Sequence, residues 1–233
     1  MPVTLRPGGR PPRPGAYRAV VFDLDGTLTR EANSWAAIQR RLGPELHARA
    51  RARWRRFADG RLTRQEFLEE QVADLAGGDS RLLDDVVEEV KYHEGVAATC
   101  SALRSTGIQL AIVSSGLAAL AERVVDDLGI HATRANAIEI VDGRFTGVGT
   151  ITVPPGGKEP AFLETCEFLG VAPDECVAVG DSGGDVDMFR LAALGVAFHP
   201  AVSQARLAAD AVIEEPDMRH LLPLVLREED LPS

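Results

Sequence analysis

The feature that most constrains this chain is an apolar run that ends abruptly in two acidic residues. Ala19–Phe22 are all apolar, and Asp23 and Asp25 follow within the next three positions. A short continuous apolar run predicts a strand buried on both faces, as in a parallel sheet covered by helices. Ligands bind outside the carboxyl ends of the strands in such sheets. Two carboxylates placed there repel each other unless a cation or a proton lies between them.

The second half of the chain repeats this arrangement. From Val96 onward, apolar runs alternate with helical periodicity, which predicts an α/β fold with a doubly wound parallel sheet. Leu110–Val113 lead into Ser114-Ser115-Gly116, and Val177–Val179 lead into Gly180-Asp181. Three predicted strands therefore end in polar residues at the same kind of edge.

Helical periodicity fills the stretch between the first strand and this α/β region. It predicts four short helices, one of them opened by a capping-box pattern at Thr63 and closed by Gly77-Gly78. Asp142-Gly143 predicts a hairpin turn further on. The predicted units are a flexible Pro-, Gly- and Arg-rich arm at 1–16, an α/β core at 17–30 and 95–225, an inserted small helical bundle at 31–94, and an acidic tail at 226–233.

Composition narrows the class of protein. Hydrophobic residues make up 45% of the 233 residues, yet no apolar stretch is as long as a membrane span, and the amino terminus has no secretory pattern. Three cysteines, an odd number without metal-ligand spacing, predict reduced thiols in a cytoplasmic protein. A net charge of −10 argues against nucleic acid as the main partner. The sequence indicates no oligomeric state.

The run from Arg49 to Arg56 contains five arginines. The favoured interpretation is a solvated helix face. The alternative is that Arg49, Arg53 and Arg56, which share one face at i, i+4 and i+7, meet an anionic substrate.

Six residues are candidates for chemistry: Asp23, Asp25, Ser114, Lys158, Asp181 and Asp185. A single acid at a strand end is more often a helix N-cap, but four acids at two strand ends are not explained in that way. Oxygen-only ligands suit Mg²⁺. Three carboxylates and a phosphate in one cleft require a divalent cation and a nearby ammonium group. Ser114, with the amides of Ser115 and Gly116 at a helix start, forms a phosphate cradle. The set predicts phosphoryl transfer.

These segments resemble the motifs of the haloacid dehalogenase superfamily, and within it the phosphoserine phosphatase-like group. The matching segments are Asp23–Thr27, Ser114–Gly116, Lys158 and Gly180–Asp185, in that order within residues 18 to 215. The resemblance implies a Rossmann-like core with the helical stretch as a cap. It also implies Mg²⁺-dependent hydrolysis of a small-molecule phosphate ester, with neither nucleic acid nor a membrane as partner.

The resemblance also implies roles for individual residues. Asp23 would be the nucleophile that forms an aspartyl-phosphate, and Asp25 the general acid and then the general base. Mg²⁺ would be held by the carboxylates of Asp23 and Asp181 and the backbone carbonyl of Asp25, while Asp185 would bind the metal or orient its waters. The substrate contacts would be Ser114, Ser115, Gly116, Lys158 and Thr27.

Several alternatives stay open. A dehalogenase needs no proton donor two residues after its nucleophile, so Asp25 favours phosphate esters. A phosphotransferase or mutase would differ by excluding water. A catalytically inactive binding module that keeps the fold is the alternative from another class.

The substrate is less constrained than the reaction. Serine phosphate is the leading candidate, although the group commonly has Asn before its last acid and this chain has Gly184. The group also reads amino acid substrates with a glutamate soon after the first motif, where Glu31 is the nearby acid, and with a cap arginine. A sugar or cyclitol phosphate from a specialised biosynthetic pathway is the alternative.

Overall fold

The apolar run before Asp23 forms a strand over Ala19–Phe22 that is buried on both faces. Its residues alternate between two hydrophobic clusters: Val20 and Phe22 pack in one, and Ala19 and Val21 in the other. The computed structural model describes residues 2–200 and 202–232. Met1, Ala201 and Ser233, which fall in the predicted arm, core and tail, lie outside the described residues.

The strand belongs to an eight-stranded sheet. The strands are β1 (Val3–Leu5), β2 (Ala19–Phe22), β3 (Gln109–Leu117), β4 (Ala132–Val141), β5 (Arg144–Thr150), β6 (Cys176–Gly180), β7 (Leu194–Phe198) and β8 (Ala211–Ile213). Their order is β1-β8-β7-β6-β2-β3-β4-β5. The outermost pairs, β1 with β8 and β4 with β5, are antiparallel, and the pairs between them are parallel. The predicted α/β class and doubly wound, mostly parallel sheet are confirmed.

Ten α-helices are seen in the described residues. They are α1 (Ser34–Leu42), α2 (Pro44–Ala58), α3 (Arg64–Ala73), α4 (Arg81–Glu88), α5 (Val96–Ser105), α6 (Ala118–Leu128), α7 (Glu159–Leu169), α8 (Val186–Leu191), α9 (Ser203–Ala208) and α10 (Leu222–Val225). None of the helices in this part of the chain combines the length and the apolar character that crossing a membrane requires.

Helices α1–α4 form the inserted group that the periodicity predicts. Thr63 caps α3 through a reciprocal capping box with Glu66, as predicted. The helix ends at Ala73, before the glycine pair, because the chain then turns to meet the β4–β5 hairpin. There Gly77 donates its amide to the carbonyl of Phe145 across 2.8 Å, and Phe145 is buried in the core. The hairpin thus packs against the helical group.

Part of the segment predicted as a flexible arm forms the strand β1. Val3–Leu5 pair with β8 at the end of the sheet. Arg10 then donates from its backbone amide and from Nε to the carboxylate of Asp210, at 2.8 and 2.9 Å. Asp210 is buried, so its charge requires a cationic partner, and the arm supplies it.

Three of the five arginines of α2 form ion pairs with acids at its neighbour α3. Arg49 and Arg53 both pair with Asp74, and Arg56 pairs with Glu70. The side chain of Arg53 is only 3% exposed, so the interpretation of a solvated face is wrong for this residue. The alternative, in which these three arginines meet an anionic substrate, is not supported, because their charges are paired with Asp74 and Glu70 and join α2 to α3.

Candidate active site

The three strands that end in polar residues are neighbours in the sheet. In β2, Phe22 lies opposite Ile112 of β3 and Val179 of β6. The amide of Asp23 continues this pairing by donating to the carbonyl of Val179 across 2.8 Å. Because the three strands are parallel, the residues after each of them meet at one edge of the sheet.

Lys158 lies between two carboxylates at this edge. Its Nζ is 2.7 Å from Oδ1 of Asp23 and 2.6 Å from Oδ1 of Asp185, and all three side chains are buried. Burial alone would lower the pKa of Lys158, but the charges of Asp185 and Asp23 outweigh it and raise that pKa. Burial, followed by the charge of Asp185, raises the pKa of Asp23 well above its ordinary value.

Asp181 completes an acidic cluster with Asp23 and Asp185. Each of the three offers a carboxylate oxygen, and these oxygens lie within 4.8 Å of one another. Burial, followed by the charge of Asp185, raises the pKa of Asp181 to about 6. One ammonium group does not balance three clustered carboxylates, of which Asp23 and Asp185 are buried, so the cluster fits a divalent cation with oxygen ligands.

Two glycines allow this close approach of acidic side chains. A Cβ on Gly180 would lie 2.2 Å from Cγ of Asp185, so only glycine fits at the end of β6. Gly26 has a φ of +80°, and a Cβ there would lie 2.6 Å from Oδ2 of Asp181. Both positions therefore require a residue without a side chain.

Asp25 is held apart from the acidic cluster by the first residue of α1. Ser34 donates to Oδ2 of Asp25 from its amide and from its hydroxyl. Burial raises the pKa of Asp25 to about 6, although these hydrogen bonds lower it. The other oxygen, Oδ1, has no hydrogen-bond partner among the described residues. Asp25 thus has a carboxyl group suited to gaining and losing a proton near neutral pH.

The Ser114 segment lies opposite Asp25. Strand β3 continues to Leu117, so the helix begins at Ala118 rather than directly at Ser115 and Gly116 as predicted. Ser114 is buried, and its Oγ accepts from the amide of Gly116 across 3.1 Å. A Cβ on Gly116 would lie 2.8 Å from Oδ2 of Asp25, so glycine keeps this wall close to the carboxylate.

Two hydrogen bonds hold residues at the edges of the site in place. The carbonyl of Ser115 accepts from Nε1 of Trp35 in α1, across 2.9 Å, which joins the sheet to the helical group. Thr27 is buried, and its hydroxyl donates to Oδ1 of Asp181 across 3.2 Å. Thr27 therefore positions Asp181.

These groups surround a cavity of about 570 Å³ between the sheet edge and helices α1–α3. Its wall includes Asp23, Asp25, Asp181 and Ser114–Gly116 on one side. Trp54, Phe57, Phe67 and Arg64 belong to the helical side. The candidate residues of the sequence thus converge on one cavity, with Lys158 and Asp185 buried behind its wall.

Ser34 and Arg64 were missed by sequence reasoning. An N-cap residue, Asn33, precedes the apolar periodicity of α1 and could have placed Ser34 at a helix start, but not against Asp25. Glu31, the acid considered for substrate reading, pairs with Arg40 across 2.6 Å and is absent from the cavity wall.

Comparison with known proteins agrees with this geometry. The family model of haloacid dehalogenase-like hydrolases matches residues 20–190. The chain belongs to this family. The predicted family and its phosphoserine phosphatase-like group are confirmed.

Two similar proteins are named phosphoserine phosphatases. The haloacid dehalogenase-like chain is 32% identical to the one from Albidiferax ferrireducens, over 96% of this chain and 98% of that protein. It is 35% identical to phosphoserine phosphatase SerB2 of Mycobacterium tuberculosis, over 89% of this chain but only 50% of that protein. The chain thus spans half the length of the second relative. Family and relatives together support a phosphatase.

Solved structures show the same fold. A phospho-aspartyl intermediate analogue of a phosphoserine phosphatase superposes with a TM-score of 0.78, at 24% identity, and the match covers 90% of this chain and 99% of that one. A hydrolase of the same superfamily from Salmonella enterica serovar Typhi gives a TM-score of 0.83 at 22% identity, covering 92% and 72% of the two chains.

Proposed function

We propose that this protein is a Mg²⁺-dependent phosphomonoesterase that transfers the phosphoryl group of a small ester to Asp23 and then to water. The observation that carries the proposal is the convergence of two different carboxyl groups on one cavity. Asp23 is fixed by Lys158 inside the acidic cluster, whereas Asp25 lies outside that cluster. One group can therefore act as nucleophile while the other handles protons.

The first step forms a bond between an oxygen of Asp23 and phosphorus. Oδ1 is occupied by Lys158 and by the amide of Leu24, which donates to it across 2.7 Å, so Oδ2 is the attacking oxygen. The bond between phosphorus and the ester oxygen breaks at the same time. Asp25 donates its proton to that oxygen, which leaves as an alcohol.

The second step reverses the role of Asp25. Its carboxylate, now deprotonated, accepts a proton from water as the water oxygen attacks phosphorus. The bond between phosphorus and Asp23 breaks, and inorganic phosphate and the free carboxylate result. Ser34 keeps the same oxygen of Asp25 fixed in both steps, which leaves Oδ1, the unpartnered oxygen, to carry the proton.

The remaining site residues balance charge. Ser114 and the amide of Ser115 would bind phosphoryl oxygens, while the amide of Gly116 holds the hydroxyl oxygen of Ser114 in place. The carboxylates of Asp23, Asp181 and Asp185 and the backbone carbonyl of Asp25 would hold Mg²⁺ or its waters, and the bound ion would offset negative charge on the phosphoryl group. Lys158 lets the carboxylates of Asp23 and Asp185 lie close together, because its ammonium group lies between them.

Substrate size is set by the helical side of the cavity. We regard residues 31–94 as a cap over the α/β core, which favours a small phosphate ester over a protein substrate. The names of the relatives make serine phosphate the reference substrate. All three cysteines are free and buried, which supports a cytoplasmic protein.

The proposed function is tested by phosphate release from para-nitrophenyl phosphate, a generic ester, with and without Mg²⁺. We expect turnover with Mg²⁺ and its loss on chelation, restored when Mg²⁺ is added back. Binding of Mg²⁺ without turnover of this or any other phosphate ester would instead identify a catalytically inactive member of the family.

A further inference from the structure

We infer that the leaving group of the natural substrate carries no ammonium group and contains a ring with hydrogen-bonding substituents, unlike serine. This inference rests on the proposed function and concerns the part of the cavity beyond the phosphoryl site. It is carried by three independent features of the wall: its charges, its aromatic side chains and its unpartnered polar groups.

The first feature is the absence of an acidic group that could bind an ammonium. Among the described residues of the cavity wall, the carboxylates belong to Asp23, Asp25 and Asp181, which the phosphoryl chemistry uses. Glu31 is turned away to Arg40, and the wall at the next position is Ala32. An ammonium group in this cavity would lose water without gaining a counter-charge.

The same wall carries a cation. Arg64, the first residue of α3, lines the cavity and has no ion-pair partner within 4.0 Å among the described residues. A second cavity of about 240 Å³ adjoins the first and shares Asn33, Trp54, Phe67 and Gln71 with it. Its wall adds Arg51 and Arg55 and no carboxylate. Away from the phosphoryl site, the walls of the two cavities therefore carry cations and no carboxylate, which disfavours an ammonium group there and favours anions or acceptor groups.

The second feature is an aromatic cluster on the helical side of the wall. The ring centroids of Trp54 and Phe57 are 5.7 Å apart, those of Trp54 and Phe67 5.8 Å, and those of Phe57 and Phe67 4.9 Å. Trp54 remains 55% exposed although it is the largest apolar residue of the cluster. Such a surface gains free energy when an apolar ring face covers it, and a serine side chain offers too little area to do so.

The third feature is a pair of hydrogen-bonding atoms without partners, buried just behind the wall of the adjoining cavity. Nε2 of Gln39 and Nδ1 of His47 are buried without a hydrogen-bond partner among the described residues, and both residues line that cavity. Gln39 is only 3% exposed. A buried amide donor without an acceptor is costly, so turning the Gln39 amide toward a hydroxyl or other acceptor on the ligand would stabilise the complex. The combined volume is in the range that holds ring-sized ligands.

The prediction that the cavity disfavours an ammonium group is tested with two substrates that differ at one group. Serine phosphate and 3-phosphoglycerate have the same chain and carboxylate, but the first has an ammonium group where the second has a hydroxyl. We expect kcat/KM for 3-phosphoglycerate to exceed that for serine phosphate by about tenfold or more, since a charge without a partner is disfavoured. Equal values, or a preference for serine phosphate, would overturn the inference.

A gain-of-function variant sharpens this comparison. Ala32→Glu adds a carboxylate to the wall, and we expect it to raise the ratio of serine phosphate to 3-phosphoglycerate turnover by about tenfold. Ala58→Glu adds the same charge at an exposed position that lines neither cavity, and it should leave the ratio unchanged. If Ala32→Glu and the wild type showed the same ratio of serine phosphate to 3-phosphoglycerate turnover, the charges of the cavity wall would not determine substrate preference.

The preference for a ring in the leaving group is tested by comparing glucose 6-phosphate and myo-inositol 1-phosphate with the acyclic ester glycerol 1-phosphate. We expect higher kcat/KM for at least one ring ester. Trp54→Ala should reduce ring-ester kcat/KM about tenfold more than glycerol phosphate kcat/KM, because only the ring covers the indole. Phe168→Ala, which removes an exposed aromatic residue outside both cavities, should change neither.

The outcomes separate this inference from the proposed function. If the wild-type protein releases phosphate from none of these esters, nor from para-nitrophenyl phosphate, the proposed function fails. If it hydrolyses para-nitrophenyl phosphate but prefers serine phosphate, or if Trp54→Ala lowers all esters equally, the phosphatase stands and the inference about the leaving group is wrong.

Discussion

Ser34 donates to one carboxylate oxygen of Asp25 twice, from its backbone amide and from its hydroxyl, each across 2.7 Å. The hydroxyl also accepts from the amide of Leu117 at the end of β3, across 3.2 Å. Ser34 is fully buried at the start of α1. One side chain therefore links the proton-transferring group of the proposed mechanism to both the core sheet and the helical group.

Replacement of this serine should affect esters according to their leaving groups. We expect Ser34→Ala to lower kcat about tenfold for an alkyl phosphate, because Asp25 loses one of its two positioning hydrogen bonds. The loss should be smaller for para-nitrophenyl phosphate, whose leaving group needs little protonation. Steady-state phosphate release from both esters measures this. Ser105→Ala, on the exposed end of α5, is the control, and equal losses for both esters would contradict a role in proton transfer.

Replacement of the nucleophile should abolish hydrolysis without unfolding the protein. We expect Asp23→Asn to reduce phosphate release by at least about a thousandfold. Stability should be unchanged or higher, because the substitution removes one of three clustered negative charges. Radiolabelled phosphate on acid-quenched wild-type enzyme, absent from the variant, reports the covalent intermediate. Near-native turnover by Asp23→Asn would eliminate the covalent route.

Loss of the buried ammonium should destabilise the fold. Lys158→Met leaves Asp23 and Asp185 buried without their shared cation, so we expect the free energy of unfolding to fall by about 3–5 kcal/mol. Urea denaturation in the absence of divalent cations measures it. The double variant Lys158→Met/Asp185→Asn should recover part of the loss, since it also removes a charge. A double variant less stable than the single one would mean that the cluster is not held by charge.

Partial burial of His93 makes the free energy of unfolding depend on pH. Burial, followed by the charges of Arg30 and His199, lowers the pKa of His93, whose ring lies edge-on to Phe198 with centroids 5.2 Å apart. The unfolded chain then binds a proton at higher pH than the folded one. Stability supplied by the neutral imidazole is complete above the unfolded pKa of about 6.5 and is lost as the pH falls below it.

The test compares the pH dependence of two proteins. His93→Phe cannot bind a proton, so the difference in unfolding free energy between it and the wild type should shift in favour of the variant as the pH falls from 7 to 5. The difference is needed because Asp25 and Asp181, whose pKa values are raised to about 6, act in the opposite direction in both proteins. A difference that is constant over this range would rule out His93 as the titrating group.

The amino-terminal arm should contribute measurably to stability. Arg10→Ala removes the nearer of the two cations that pair with the buried Asp210, and we expect a loss of about 2 kcal/mol in the free energy of unfolding. Arg18→Ala is the matched control, because its pair with Glu175 is exposed and should contribute at most about 1 kcal/mol. Thermal or urea denaturation of both variants decides whether the arm is structural.

The core of the site could be predicted because it follows from local pattern. Asp23 and Asp181 come directly after apolar runs, and parallel strands bring such ends together whatever the rest of the chain does. Lys158 was predicted because one cluster of acids needs a cation, and it is one of only two lysines. These inferences need no knowledge of how the helices pack.

The residues that were missed depend on long-range packing. Arg53 points to Asp74, and Arg64 points to the cavity, because of the way α2 and α3 cross, which periodicity does not report. The arm was predicted as flexible from its Pro and Gly content, but its pairing partner is at the other end of the chain, in β8. Composition cannot reveal a partner some 200 residues away.

The position of β1 has a consequence for handling the protein. In the described sheet, β1 is the edge strand next to β8, and it pairs with β8 in the antiparallel direction. Without β1, backbone amides and carbonyls of β8 would face solvent. An uncovered strand of this kind is a template for the same strand of another molecule. Trimming the first ten residues should therefore produce self-association and precipitation more readily than it impairs catalysis.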